Sequence, residues 1–249
     1  MIRAKEYMGF YWQDRQQCLD EYLSFIIDLL IGIEAAVERP CSFEILSKGL
    51  KLDVIPDDFL EQKSKIISLV LDPDVAYTEV VQEDSTVSLL PPLGFTSQWK
   101  VKLDCGPVFF IIVSSGAYGT ASPGNSVVCK LDSPVESRVN ELQFFRQVWR
   151  LLVTQCNPEF AVFTSHDLAC KIDPDMEFDN SVGWISYVSS TVNSQSIPSD
   201  IIISNLANGC QLEVIERLIG VNDSEVVNLL RNTQNALVNA GVISVEDDF

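Results

Sequence analysis

The stretch that decides the fold is WKVKLDCGPVFFIIVSSGAYGTASPGNSVVCKL, residues 99–131. It holds three short apolar runs rich in β-branched and aromatic residues, separated by clusters of glycine, proline and serine. Runs of this length and composition are typical of β-strands joined by turns. Similar short runs around Val87 and Leu89 precede it, so we predict an antiparallel meander from Val80 to Lys130.

Helical patterns lie on both sides of this β-rich region. Apolar residues recur every three or four positions in four segments: residues 14–40, 55–71, 132–156 and 222–241. Ser133, Pro134 and Glu136 form a capping box with proline at the first helical position, which marks the start of the third helix. Asn222 or Asp223 begins the last helix, and Gly241 ends it.

Further strands are predicted outside the meander, at residues 7–12, 159–165 and 183–190, and in the extended segment 197–216 with a turn at Asn208-Gly209. The chain shows no internal repeat and no low-complexity linker. We therefore predict the α+β class, with a single domain over residues 1–249 in which about four helices pack on a mostly antiparallel sheet.

The charge balance restricts the classes of partner. The chain has 35 acidic and 17 basic residues, a formal net charge of −18 at pH 7. Nucleic acids and anionic membranes are bound through Lys and Arg that neutralise phosphates, and an acidic field opposes this. We therefore expect no direct nucleic-acid or membrane binding, and we expect basic proteins as partners.

Cysteine usage and hydropathy indicate a cytoplasmic protein. The seven cysteines form no CxxC pair and lie mostly in apolar contexts, which is typical of buried reduced thiols. The first residues lack the apolar core of a signal peptide. The most apolar helical stretch contains Asp28 and Glu34 and is too short to span a bilayer.

The loop GAYGTASPGN, residues 116–125, is the most glycine-dense stretch and could suggest a phosphate site. A phosphate-binding loop needs a lysine and a following helix, whereas this loop has no lysine and leads into the strand-like SVVCKL. We interpret it as a turn between two strands, with Tyr118 at its crest.

The acidic stretch DPDMEFDN, residues 173–180, resembles the start of a calcium loop. That motif requires glycine at its sixth position and glutamate at its twelfth, where this chain has Phe178 and Trp184. We therefore predict an exposed acidic loop and no metal site.

The only histidine, His166, is the one candidate for nucleophilic catalysis, with Asp167 beside it and Cys170 four residues on. No GxSxG, HExxH or paired metal-ligand motif accompanies it. We predict no catalytic residues and no cofactor.

Several segments, taken in order, carry a resemblance: YMGFYWQDR before a long helix, LGF ahead of WKVKLDCG, GAYG and PGNSVVCKL, CNPEFAVFTS, VGWISYVS, NGCQLEVI and the helix end NAGVI. Together they resemble the immunity protein 52 family of bacterial polymorphic-toxin systems, over residues 7–243. The resemblance implies an α+β immunity protein, encoded beside a secreted toxin whose nuclease domain has the restriction-endonuclease fold and is often delivered by a type VI secretion system.

The function expected from these observations is the neutralisation of a cognate nuclease toxin by binding. Acidic loops and one aromatic are the interface candidates: Glu79, Glu83, Asp84, Tyr118, Asp173, Asp175, Glu177 and Asp179. Two alternatives stay open, a small hydrolase or transferase that uses His166 and an acidic DNA mimic that inhibits nucleases broadly.

Overall fold

The computed structural model describes residues 6–38, 40–82, 85–91, 93–104, 108–117, 125–131, 142–174, 181–214 and 223–244. The chain divides into two compact units. We call Tyr11–Cys129 the N-terminal unit, and Met1–Phe10 with Lys130–Phe249 the C-terminal unit. The single domain over residues 1–249 stays a prediction.

The described residues form twelve strands and five α-helices. In chain order these are β1 (Glu6–Trp12), α1 (Leu19–Val37), β2 (Cys41–Ser47), β3 (Leu50–Val54), α2 (Phe59–Val70), β4 (Thr78–Val81), β5 (Val87–Leu90), β6 (Leu93–Leu103), β7 (Val108–Ala117), β8 (Asn125–Leu131), α3 (Leu142–Cys156), β9 (Phe160–Ser165), α4 (His166–Ile172), β10 (Ile185–Val188), β11 (Ile201–Leu206), β12 (Gly209–Val214) and α5 (Ser224–Asn239).

In the N-terminal unit, α1 packs on β7, and α2 packs on β2, β3 and β6. The buried residues of α1, including Tyr22, Leu30 and Ile33, recur at helical spacing and form one apolar stripe, whose burial stabilises the unit. The helix ends at Glu38 in the left-handed conformation, two residues before Pro40. Proline cannot continue a helix, as the sequence pattern predicted.

The sheet of the N-terminal unit has the strand order β8-β7-β6-β2-β3, and β4 and β5 form a separate two-stranded sheet. The pairs β6–β7, β2–β6 and β2–β3 are antiparallel. Alternate residues of β6, such as Trp99 and Val101, are fully buried on one face. The strands predicted between Val80 and Lys130 are therefore present, but they do not form one meander, because β4 and β5 pair with each other in a separate sheet.

The β2–β3 hairpin was not predicted from the sequence. Phe43 and Ile45 are buried, while the residues between and around them are more exposed. The turn uses Lys48 and Gly49, both with positive φ, 47° and 82°. Glycine adopts this conformation without strain, so Gly49 is the local signal for the hairpin.

The C-terminal unit has the strand order β11-β12-β10-β9-β1. Every residue of β9 and β10 is buried, which explains why both read as nearly continuous apolar runs. Phe163 lies at the centre of this core, with ring centroids 6.2 Å from Phe145 and 5.6 Å from Trp184. The β11–β12 turn falls at Ala207 and Asn208, one residue before the predicted Asn208-Gly209, and Gly209 is the first residue of β12.

The α+β class with a mostly antiparallel sheet is confirmed, and all four predicted helices are present. Asp223 caps α5, accepting hydrogen bonds from the backbone N–H groups of Glu225 and Val226. Helix α4 was not predicted, because its seven residues are too few for a clear helical period. The capping box at Ser133 and Glu136 lies outside the described residues.

Six cysteines are described, and none of them is in a disulfide: Cys18, Cys41, Cys129, Cys156, Cys170 and Cys210. Four of the six are buried, in agreement with the predicted buried thiols. Cys105 lies outside the described residues.

Candidate protein-interaction surface

The β4–β5 hairpin of the N-terminal unit has two different faces. Its strands pair so that Glu79 lies opposite Leu89 and Val81 lies opposite Val87. Because side chains alternate along a strand, these four lie on one face, which we call the outward face. Ser88 belongs to the other face and is only 4% exposed.

The buried face of the hairpin is held to helix α1. The Ser88 hydroxyl oxygen accepts a hydrogen bond of 3.3 Å from the backbone N–H of Asp20, in the first turn of α1. The Asp20 carboxylate in turn accepts a 2.6 Å bond from the Lys63 ammonium of α2. The face that carries Ser88 is thus turned toward α1, and the outward face lies on the opposite side of the hairpin.

The outward face carries two exposed valines. Val81 is 74% exposed and Val87 is 60% exposed. As direct cross-strand partners they lie side by side and form one continuous apolar patch. Single exposed apolar residues are ordinary on a protein surface, whereas adjoining ones form a patch that a partner can cover.

An open groove of about 610 Å³ adjoins the hairpin. Its lining consists of Gln16, Cys18, Glu21, Val80, Val81, Gln82 and Leu90. The Gln82 amide donates a hydrogen bond to the Cys18 sulfur, and the Glu21 carboxylate accepts a 2.7 Å bond from the Cys18 backbone N–H. The lining contains one carboxylate and no Lys, Arg or His, so its charge favours a basic ligand.

The predicted interface residues fall at different places. Glu79 is exposed on the outward face, two residues before Val81. Asp173 directly follows α4, where its backbone N–H donates to the Ala169 carbonyl, and the residue is only 5% exposed. The prediction of an exposed acidic loop is therefore wrong at Asp173. Six candidates lie outside the described residues: Glu83, Asp84, Tyr118, Asp175, Glu177 and Asp179.

The two ends of the glycine-rich loop are joined through Asn125, which is 1% exposed. Its side-chain oxygen accepts a 3.0 Å bond from the Ala117 N–H, and its amide donates a 2.7 Å bond to the Gln13 carbonyl. Strands β7 and β8 flank the loop, as predicted. The loop therefore connects two strands, with no helix following it.

The candidate catalytic histidine is exposed at the start of α4. The Cys170 sulfur lies 3.7 Å from the His166 Nε2 atom, one helical turn away. Among the described residues, no second hydrogen bond orients the imidazole ring. Nucleophilic sites normally add a third group that fixes the base, so this exposed pair is only a partial match to such a site.

Within the described residues, no three His, Cys, Asp or Glu side chains lie close enough to hold a metal ion. None of the described helices has the length and apolarity needed to cross a membrane.

Comparison with known proteins supplies the decisive observation. A sequence model of the immunity protein 52 family matches residues 112–246, more than half of the chain. The chain belongs to the immunity protein 52 family. The match begins in β7, so the hairpin surface lies before the matched segment.

Curated proteins and solved structures provide less information about this chain than the family model. No curated protein matches this immunity protein. Among solved structures, a Pseudomonas aeruginosa T6SS protein is similar over 92% of this chain and 76% of its own, with 10% sequence identity and a TM-score of 0.47.

The valine patch could not be found from the sequence. Val87 belongs to an apolar run that the strand pattern assigned to the β-meander, and such runs are most often buried. The alternation in TEVV and VSLL predicts two faces for each strand but leaves open which face is covered.

Proposed function

We propose that this immunity protein neutralises a cognate secreted toxin by binding it, and that the toxin is a nuclease with the restriction-endonuclease fold. Membership of the immunity protein 52 family is the observation that carries the proposal. The protein would act in the cytoplasm of the producing cell, one molecule for each toxin, without catalysis.

The acidity of the chain supports a basic partner. A nuclease presents Lys and Arg to phosphates, and an inhibitor with a net charge of −18 is attracted to that surface. Electrostatic steering of this kind raises association rate constants toward about 10⁸–10⁹ M⁻¹s⁻¹ at low salt. We therefore expect the association rate to fall steeply between 50 and 500 mM NaCl, and the dissociation rate to change much less.

Co-expression with the toxin gene encoded beside this one tests the proposal. Bacteria producing the toxin should survive only when the immunity protein is present, and the two proteins should elute together from size exclusion at equimolar ratio. Continued killing, with no complex on the column, would refute the proposal.

A panel of unrelated nucleases separates this function from that of a DNA mimic. An immunity protein recognises one partner through a specific surface and should leave the other nucleases active. Inhibition of most of the panel would favour the mimic.

The remaining interface candidates are proposed as steering charges. Charge reversal at Asp175 and Glu177 should slow association at low salt if these residues attract the toxin. An unchanged rate would remove them from the interface.

A further inference from the structure

We propose that the outward face of the β4–β5 hairpin is the surface on which the toxin docks, and that it receives a basic side chain of the toxin. This inference rests on the proposed function and names the surface that carries it out.

The apolar part of the surface is the Val81–Val87 pair. Other large apolar side chains are exposed elsewhere, such as Leu60 on α2 at 82% and Ile202 on β11 at 49%. Val81 and Val87 differ from these because they are direct partners across the hairpin, so their exposed surfaces join. A contiguous apolar patch that a partner can dehydrate is the usual centre of a protein interface.

The charge around the valines selects the partner. Glu79 is exposed on the same face as the two valines. Among the described residues Glu79 makes no ion pair. Residues 78–90 include Glu79, Glu83 and Asp84 and contain no Lys, Arg or His. A carboxylate beside an apolar patch, in a segment without basic residues, is complementary to a basic protein surface.

The geometry fits one kind of side chain in particular. Lys and Arg have long aliphatic stems that pack on apolar surface and charged ends that reach a carboxylate. A stem lying across Val81 and Val87 would pass Glu79, which is next to Val81 on the same face.

Two hydrogen bonds to the start of α1 hold the hairpin in place before a partner binds. The Asp20-to-Ser88 hydrogen bond fixes its buried face to α1, and the Gln82-to-Cys18 bond fixes the end of β4 to the start of α1. A surface that is ordered before binding loses less conformational entropy when the partner arrives.

The experiment measures binding of the purified toxin domain encoded beside this gene, inactivated by substitution, to variants of the full-length immunity protein. Val81→Lys and Val87→Lys replace the apolar patch with charges that repel a basic partner. Leu60→Lys is the matched control, because it places the same charge at another exposed apolar position, on α2. Thermal unfolding of each variant establishes that it is folded.

We expect Val81→Lys and Val87→Lys to weaken binding by at least about tenfold, through faster dissociation and, at low salt, slower association. Leu60→Lys should stay within about twofold of the unaltered protein. Glu79→Gln should lower the association rate at 50 mM NaCl, with little effect at 500 mM NaCl.

Binding of both valine variants within twofold of Leu60→Lys, while the unaltered protein binds tightly, would refute the docking surface and leave the proposed function intact. Failure of the unaltered protein to bind or protect would refute the proposed function, and the docking surface with it.

Discussion

Tyr22 provides a stability prediction that can be worked out from the structure. Its ring is fully buried in the stripe of α1 that packs on the sheet. The hydroxyl lies 2.7 Å from the Ser97 Oγ atom and donates to the Val113 carbonyl at 3.2 Å. The Ser97 oxygen also accepts a 2.7 Å bond from the Trp99 indole N–H. Tyr22→Phe removes the central group of this buried network and leaves the ring in place.

At pH 8, Tyr22→Phe should lower the free energy of unfolding by about 1–2 kcal/mol. Two buried hydrogen bonds are lost, each with a net value of about 1 kcal/mol, and no large cavity is formed. Urea unfolding followed by tryptophan fluorescence measures the difference. An unchanged slope with urea would show that the same surface is exposed in both proteins.

The same substitution should have a smaller effect in alkali. Burial raises the pKa of the Tyr22 phenol well above its ordinary value. The unfolded chain keeps the ordinary tyrosine pKa of about 10, whereas the folded protein has the raised pKa. At a pH between the two values the phenol is ionised only in the unfolded chain, so the free energy of unfolding falls as the pH rises above 10. At pH 11 this ionisation stabilises the unfolded state of the unaltered protein by about 1.4 kcal/mol. The Tyr22→Phe variant has no phenol at this position and lacks the effect.

The penalty of Tyr22→Phe should therefore shrink by about 1.4 kcal/mol between pH 8 and pH 11. Both proteins share every other titrating group, so their difference isolates this one phenol. An equal penalty at the two pH values would refute the reasoning.

Three further predictions concern single groups. The hydrogen bond from Lys102 lowers the pKa of Glu44, so the pair stabilises the fold at neutral pH and loses this effect as the pH falls through the folded pKa. Lys102→Met should cost up to about 1 kcal/mol at pH 7 and less at pH 3, as measured by urea unfolding. Burial raises the pKa of Cys41 to about 11. At pH 8 the reactive thiolate is then only about 10⁻³ of the Cys41 population. Mass spectrometry should therefore show that iodoacetamide alkylates the exposed Cys170 long before Cys41. His166→Ala should leave protection against the toxin intact; loss of protection by a folded variant would favour the enzymatic alternative.

Local patterns predicted much of this fold. Helical spacing located α1, α2, α3 and α5, since a helix that packs on a sheet must repeat its apolar residues with the helical period. The β-rich character of residues 99–131 predicted β6, β7 and β8, and the turn predicted at Asn208-Gly209 lies one residue from the observed β11–β12 turn. The family resemblance rested on the order of these same segments, and the family match confirms it.

The sequence predicted short elements less well. Helix α4 has only about two turns, too few for a clear helical period. Its start is stabilised by Ser165, whose hydroxyl oxygen accepts a hydrogen bond from the Leu168 N–H. The β2–β3 hairpin carries only two fully buried side chains in β2, so its alternation is weak. Both elements depend on packing within their units more than on local periodicity.

The candidate surface separates what composition determines from what folding determines. The net charge and the absence of a standard catalytic motif are properties of the sequence alone, and they already favoured a basic protein partner. Glu79 was chosen because it is acidic, and Asp173 for the same reason, yet Glu79 is exposed and Asp173 is buried. The exposure of Val81 and Val87 is likewise decided by tertiary structure, because a strand pattern defines two faces and only the contact with α1 determines which of them is covered.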